Sequence, residues 1–519
     1  MIIKLLINRI GGNIVQHCKK RRIMNLPQFL MLTLLGSTTI LYLIVKAAFS
    51  YWKYRGILHA KPTIPWGHMK GVGSKLHIAD VLRRFYTLYS GQAPFIGFYA
   101  WLKPMVLMLD LDAIHQILVV NADHFQDRGL YNNVSTDPLT QNLIQLDGTA
   151  WKELHDKTKH LWLKDVILQT YPALMKVRKK FELTLKKEIR RETLTDVSGL
   201  IDQFNVDVIA SLAYGLSDDF EENIPFRLFA LNYINIKSRR YFLNIRMPNS
   251  LAFICPNWAR WMNYRLFQPE STQHCLNMLR GKLKERAKLK SVPYDFLRIW
   301  SENRFPCKMN DNEIAGQAFS FLWAGLEACN SIVALCLYEL AFQPKLQEKA
   351  RKEVRKVLKK YENCMRHEML NELVYLKQLL NETLRKYPPY PFLLRLTTKD
   401  YDLPNTVFAL KRGNHVIIPV AAIHNDPDYY ENPYQFDPEH FHSSKVKTRP
   451  VCAFLPFGLG SRSCIAQHFA MQQLLVGLMT LLNMYRFAPC QNTIAPLRFD
   501  NSKFFLQPKP RIQLLMKPT

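Results

Sequence analysis

The chain has 519 residues, 48% hydrophobic, 12% aromatic and 22% charged, which excludes a disordered tail, a collagen-like repeat and a disulfide-dense small scaffold. Seventy Lys and Arg against 42 Asp and Glu leave a net charge of +28; this fits a nucleic-acid binder, a protein at an anionic membrane face or one that docks an acidic partner. Ten cysteines stand singly, with no CxxC and no Cys/His cluster at zinc spacing, which argues against a disulfide framework or a zinc site.

Residues 1–23 are basic and partly amphipathic, and no acidic residue occurs before Asp80. A mitochondrial presequence has the same look. Phe29 to Val45 carries no charge, and running on to Phe49 it makes a helix of about 30 Å, long enough to cross a hydrocarbon core. Lys46 can snorkel, and Tyr51, Trp52 and Tyr54 are placed as an interfacial aromatic belt. With no small-residue cleavage site after it, residues 24–55 read as a retained transmembrane signal anchor and flank. Starting at Met24 removes the conflict between its charges and those of the extension at 1–23.

Residues 56–75 form a Pro-bearing linker, since Pro62 and Pro65 cannot continue a helix. From 76 to 519 long helical patterns alternate with short strands, without a repeat. Residues 316–342 are apolar almost all round, as in a helix buried in a large core. Residues 345–362 read as a charged, solvent-washed helix, a solubilising face and not a nucleic-acid surface. HVIIPVAAI (415–423) reads as strand, and VCAFLPFG (451–458) as an extended approach to a loop.

That loop, FGLGSRSCIAQHF, puts Arg462 two residues before Cys464, where an apolar helix is expected to start. A helix start and a nearby cation both favour a thiolate. A thiolate in a glycine-lined apolar loop suits an axial ligand to haem iron, the glycines letting backbone come close and donate toward sulfur. A dinucleotide loop fails for want of a third glycine and of any acidic residue between Glu439 and Asp500. A buried core cysteine and a Cys/His nucleophile remain open on these residues alone.

Phe457, Gly460, Arg462 and Cys464 match FxxGxRxC, with Ala466 where the pattern usually has Gly. NETLRKYPP supplies Glu382 and Arg385 of an ExxR helix, and FDPEHF matches a PERF segment with His440 in place of Arg. On these motifs, and on FQDRGLY and residues 137–154, the chain resembles the cytochrome P450 family, specifically insect microsomal members, over roughly residues 60–510. The resemblance implies a mainly α fold with small β-sheets, a single large helical domain behind an N-terminal transmembrane anchor. It implies haem b with Cys464 as axial thiolate, and NADPH supplying electrons through NADPH-cytochrome P450 reductase, with cytochrome b5 as a further donor. The substrate is then a hydrophobic small molecule and the location the endoplasmic reticulum membrane with the catalytic domain in the cytosol, mitochondria being the lesser alternative; no nucleic acid is expected.

Residue by residue, Glu382, Arg385 and His440 become a structural cluster, and Phe457, Gly460 and Arg462 the haem loop. The family's WxxxR is here Trp151 to His155, so either His155 or Arg128 answers a haem propionate. Its AGxxT is Ala324, Gly325, Leu326, Glu327, Ala328: the acid is kept and the hydroxyl that assists oxygen activation is missing. Monooxygenation comes first; a haem-thiolate peroxide isomerase or a weakly catalytic haem protein is the alternative. Lys445, Lys447, Arg449 and Arg462, in a stretch without acids, suit docking of an acidic electron donor, with the alternative that some of them, Arg462 especially, face haem propionates instead.

Overall fold

The computed structural model describes residues 26–189, 191–216, 226–230, 241–242, 245–246, 252–253, 255–290, 292–302, 309–403 and 408–519. The basic extension at 1–23 and parts of 205–262 lie outside them. Helix α1 (Leu26–Phe49) includes a 20-residue stretch, Leu30–Phe49, of mean hydropathy 1.7 that is 6% buried. It is long and apolar enough to cross a membrane. The expected aromatic belt is corrected by the structure. Tyr54 is 85% exposed, but Trp52 is 1% exposed and belongs to the body. Its indole N–H donates to the Phe98 carbonyl at 3.1 Å and its backbone N–H to the Tyr99 hydroxyl at 3.1 Å. The Trp52 ring takes the space a side chain at Gly97 would need.

A four-stranded sheet receives it. Strands β1 (Phe95–Ala100) and β2 (Lys103–Met108) form a hairpin with Phe95 opposite Met108. In chain order, α2 is Gly148–Thr158, β3 Thr193–Asp196 and α3 Val197–Ala213. Then come α4 (Asp311–Phe342), α5 (Pro344–Lys360) and α6 (Val374–Lys386). Strands β4 (Leu393–Leu396) and β5 (His415–Ile418) follow, then α7 (Gln467–Met484), β6 (Tyr485–Ala488) and β7 (Gln513–Pro518). The first sheet runs β1-β2-β5-β4, with β2 parallel to β5 and β5 antiparallel to β4; the second runs β6-β7-β3. The expected strand over 415–423 stops at Ile418 because Pro419 has no N–H for the ladder, and Val420–Ile423 turns into a helical turn instead. Likewise Val451–Ala453 is a 3₁₀ turn and not extended chain.

One apolar core gathers α2, α3, α4, α6 and α7; a second lies under the β1-β2-β5 sheet and takes in Trp52. Helix α4 is the axis of the first, as its all-round apolar sequence leads one to expect. Its start is fixed by a capping box, Asn310 accepting from Glu313 N–H while the Glu313 carboxylate accepts from Asn310 N–H. The same carboxylate takes Lys157 of α2 at 2.9 Å, which ties α2 to α4. Helix α5 buries Ala350, Val354, Val357 and Leu358 along one side and keeps most of its charges in solvent.

Candidate active site

Between α2, α4, the turn after α6 and the loop before α7 lies a mainly apolar cavity of about 820 Å³. Cys464 opens into it. The loop that presents the sulfur folds back on itself: Cys464 N–H donates to the Phe457 carbonyl at 2.7 Å, and Phe457 itself lines the cavity. Gly460 sits at φ +76°, and a side chain there would collide with the Leu118 carbonyl. The glycine there serves the turn and the packing of the loop. Ala466, at φ −93°, needs no glycine.

Two expectations about the sulfur are corrected. The helix begins at Gln467, three residues past the cysteine. Arg462 turns away, because the 3₁₀ turn Gly460–Arg462 sends it into the wall. There it donates to the carbonyls of Gln126 (2.6 Å), Leu143 (3.1 Å) and Leu146 (3.0 Å) and to the Asp147 carboxylate (3.0 Å), with its guanidinium 3.9 Å over the Trp151 ring. Burial raises the Cys464 thiol above its ordinary value, while the Ala466 N–H and the charge of Arg128 oppose it. A metal bound here would favour the thiolate. Among the described residues no group of three or more His, Cys, Asp and Glu side chains could hold a metal.

The charges around the cavity test whether haem fits. Arg128 spends its guanidinium on the carbonyls of Leu143, Ile144 and Arg462. Arg395, a residue the sequence reading missed, lies in β4 at 4% exposure and donates to the Leu394 carbonyl. Burial, with Arg128 and Arg462 nearby, pushes its pKa down to about 9. Both line the cavity. Three guanidiniums (Arg128, Arg395 and Arg462) are answered by Asp147 and, at 3.7 Å from Arg462, by Asp127. Asp147 is already committed to the N–H groups of Arg128 and Gly129. Such a surplus of desolvated positive charge favours a bound anion, and the carboxylates of a haem would meet it. His155 also lines the cavity, stacked on Trp151 with ring centroids 4.7 Å apart. Burial lowers its pKa, so it faces the cavity as a neutral hydrogen-bonding group. An arginine inside an apolar strand, FLLRL, was the sequence signal for Arg395.

Helix α4 meets the cavity at its π-helical turn, Phe321–Gly325, with Ala324, Gly325 and Ala328 on the lining. An extra residue in the turn is a form often seen at functional sites. A side chain at Gly325 would enter open space. Ala328 brings no hydroxyl, and its neighbours do not replace it. Ser331 donates to the Glu327 carbonyl at 3.3 Å, and the Asn330 side chain is engaged by Asn205. Glu327 is 8% exposed; burial pushes its pKa up to about 7, against the pull of Lys503 at 3.9 Å.

Behind the loop, Glu382 and Arg385 are both fully buried and paired through two bonds of 2.7 Å. Arg385 also donates to the carbonyls of His424 (2.8 Å) and Gln435 (3.2 Å), and Asp437 N–H donates to Glu382 at 2.9 Å. His440 completes the cluster, Nδ1 at 3.2 Å from a Glu382 oxygen and Nε2 at 2.7 Å from the Glu431 carbonyl. Of the basic residues assigned to docking, Lys445 and Lys447 are exposed. Arg449 is held by the carbonyls of Tyr429 and His440, and Arg462 is buried, so neither offers a free charge.

A family model described as Cytochrome P450 matches residues 60–516. "Probable cytochrome P450 6u1" of Drosophila melanogaster is 42% identical over 494 residues, 95% of this chain and 98% of that protein. "Probable cytochrome P450 6a13" of the same fly is 33% identical over 481 residues, 92% and 96% of the two chains. "Cytochrome P450 6A1" of Musca domestica is 31% identical over 504 residues, 95% and 98%. The matched span takes in the cysteine loop, the buried Glu/Arg pair behind it and the residues that line the cavity, and the chain belongs to the cytochrome P450 family, as an insect-type member of these haem-thiolate oxidoreductases.

Proposed function

We propose that the protein is a membrane-anchored monooxygenase that inserts one oxygen atom from O₂ into a hydrophobic small molecule of the xenobiotic, insecticide or hormone class. NADPH is the electron source, through NADPH-cytochrome P450 reductase, with cytochrome b5 as a further donor. The observation that carries this reading is a cysteine sulfur opening into an apolar cavity of about 820 Å³ whose wall also bears the charges of Arg128 and Arg395. Haem b, bound by Cys464, supplies the oxygen and electron chemistry. Arg128 and Arg395 hold its carboxylates, with His155 as a neutral donor and Phe457 as part of the floor. Gly325 leaves room beside α4 for small ligands, and the apolar lining excludes water and orients a greasy substrate without fixing its identity. Glu327, next to Ala328, carries a proton near neutrality.

Helix α1 within 24–55 is the anchor, and the endoplasmic reticulum membrane with the body in the cytosol is the location. Lys445 and Lys447 lie on a short helix, Ser443–Thr448, a few residues ahead of the Cys464 loop and suit an acidic electron donor. The test is a reduced carbon monoxide difference spectrum of the purified holoprotein: a thiolate-type Soret band is expected, and Cys464→Ser is expected to abolish it. A wild-type protein that takes up no haem overturns the reading. Ala328 favours one second reading, a peroxide isomerase, which needs no hydroxyl for proton delivery. Turnover of a lipid hydroperoxide without NADPH, and no product with NADPH and reductase, would select it.

A further inference from the structure

The cavity lacks a hydroxyl where α4 passes it, yet a hydroxyl reaches the same space from another wall. Helix α6 ends at Lys386, and Pro388 and Pro389 forbid its continuation, so the chain runs extended past the cavity and sets Tyr390 on the lining with Ala328, Gly325 and Cys464. The ring is fixed edge-on by Phe505 at 4.8 Å and Phe504 at 6.0 Å, and Phe505 in turn meets Trp323 of the α4 π turn at 6.4 Å. Its phenol lies within electrostatic reach of groups on three walls: Cys464 foremost, then Arg128, then Glu327 and Cys329 on α4. Burial raises its pKa, which keeps it protonated and able to donate.

This hydroxyl makes no hydrogen bond to a described residue, and Tyr390 lines the cavity. A donor desolvated without a partner is costly, so the arrangement makes sense where a ligand oxygen completes it. Several other polar groups of the lining are turned to different tasks. Arg128 and Arg395 face the anion site, and Ser320 donates to the Gln317 carbonyl at 2.8 Å in its own helix.

We propose that Tyr390 supplies the hydroxyl donor that α4 lacks at Ala328, giving its hydrogen bond to the oxygen of a small ligand bound in this cavity. The proposal rests on the haem reading above. It is a trade between two walls of one cavity: a long aromatic side chain on the turn after α6 in exchange for a short hydroxyl on α4.

Carbon monoxide serves as the probe. The reduced holoprotein is saturated with it, and the C–O stretching band is recorded for wild type, Tyr390→Phe, Ala328→Thr and the double variant. A hydrogen bond to the outer atom of the probe lowers that frequency, so Tyr390→Phe is expected to shift the band to higher wavenumber. In the double variant Ala328→Thr is expected to bring it back toward the wild-type position, because it returns a hydroxyl to α4. In parallel, the carbon monoxide dissociation rate is expected to rise several-fold, up to about tenfold, in Tyr390→Phe. Folding is not at risk, since the substitution strands no protein partner, and the Soret band of each variant checks haem ligation. A thiolate-type Soret band with a C–O band unmoved by Tyr390→Phe overturns this inference and leaves the proposed function standing. Failure of the wild type to bind haem overturns both.

Discussion

Two glutamates of this protein are buried to nearly the same degree and behave in opposite ways. Glu382 is 0% exposed and Glu327 8%, and for both the largest influence on the carboxyl is burial, which opposes its charge. Around Glu382 two N–H groups of Arg385, the His440 ring and the Asp437 N–H outweigh that cost, and its pKa lies below the ordinary value. Glu327 has Lys503 alone against it, at 3.9 Å, and its pKa rises to about 7. Burial therefore does not decide whether a carboxyl is ionised; the number of donors aimed at it does. The first glutamate is a fixed charge that fastens the chain behind the cysteine loop. The second keeps a proton within reach of physiological pH, one residue from the place on α4 where family members carry a hydroxyl.

Removing a partner from the first site is expected to do the most damage. Arg385→Ala leaves Glu382 buried with half its donors gone, and should cost about 3–5 kcal/mol in denaturant unfolding. If it costs less than 1 kcal/mol, the pair is not the fastening described here. The second site shows in the pH dependence. The folded protein holds a proton on Glu327 that the unfolded chain releases near 4.5, so stability from this group falls as pH rises from about 4.5 to about 7. The amount is at most roughly 3 kcal/mol, and Glu327→Gln should flatten that part of the profile. Glu382 has the reverse sign: its contribution is complete above the ordinary carboxylate range and is lost as pH falls through its depressed value.

Arg395 extends the comparison to cations. Arg385 is surrounded by acceptors, whereas Arg395 has a neighbouring carbonyl and two like charges. Arg395→Leu should lower haem retention about ten- to a hundredfold, read as haem loss to an acceptor protein. Unfolding of the apoprotein should be unchanged or slightly harder. Destabilised apoprotein with undiminished haem retention would place Arg395 with the structural charges instead.

Much of this was legible in the sequence and some was not, for identifiable reasons. The Glu382/Arg385 pair, the Cys464 loop and the buried run of α4 are carried by short-range spacing that any fold must respect. Arg462 was misjudged because nearness in sequence to Cys464 was taken for nearness in space, and one 3₁₀ turn reverses it. Trp52 looked like a membrane-interface residue until the backbone of β1 offered its indole an acceptor. Arg395 and Tyr390 sit in apolar company far along the chain from Ala328, and only the folding of the turn after α6 against α4 reveals that they share a cavity.

The smallest effect is the most discriminating for the Glu382 cluster. Both ring nitrogens of His440 face groups that can only accept, the Glu382 carboxylate at 3.2 Å and the Glu431 carbonyl at 2.7 Å. His440→Phe keeps the ring's shape and its edge-on contact with Tyr430, 5.7 Å between centroids, while removing both hydrogen bonds. Glu382 would still receive Arg385 and the Asp437 N–H. The expected cost is about 1–2 kcal/mol in denaturant unfolding, well below that of Arg385→Ala. A loss as large as that of Arg385→Ala would mean that the histidine's hydrogen bonds, and not the arginine's two, are what hold the cluster together.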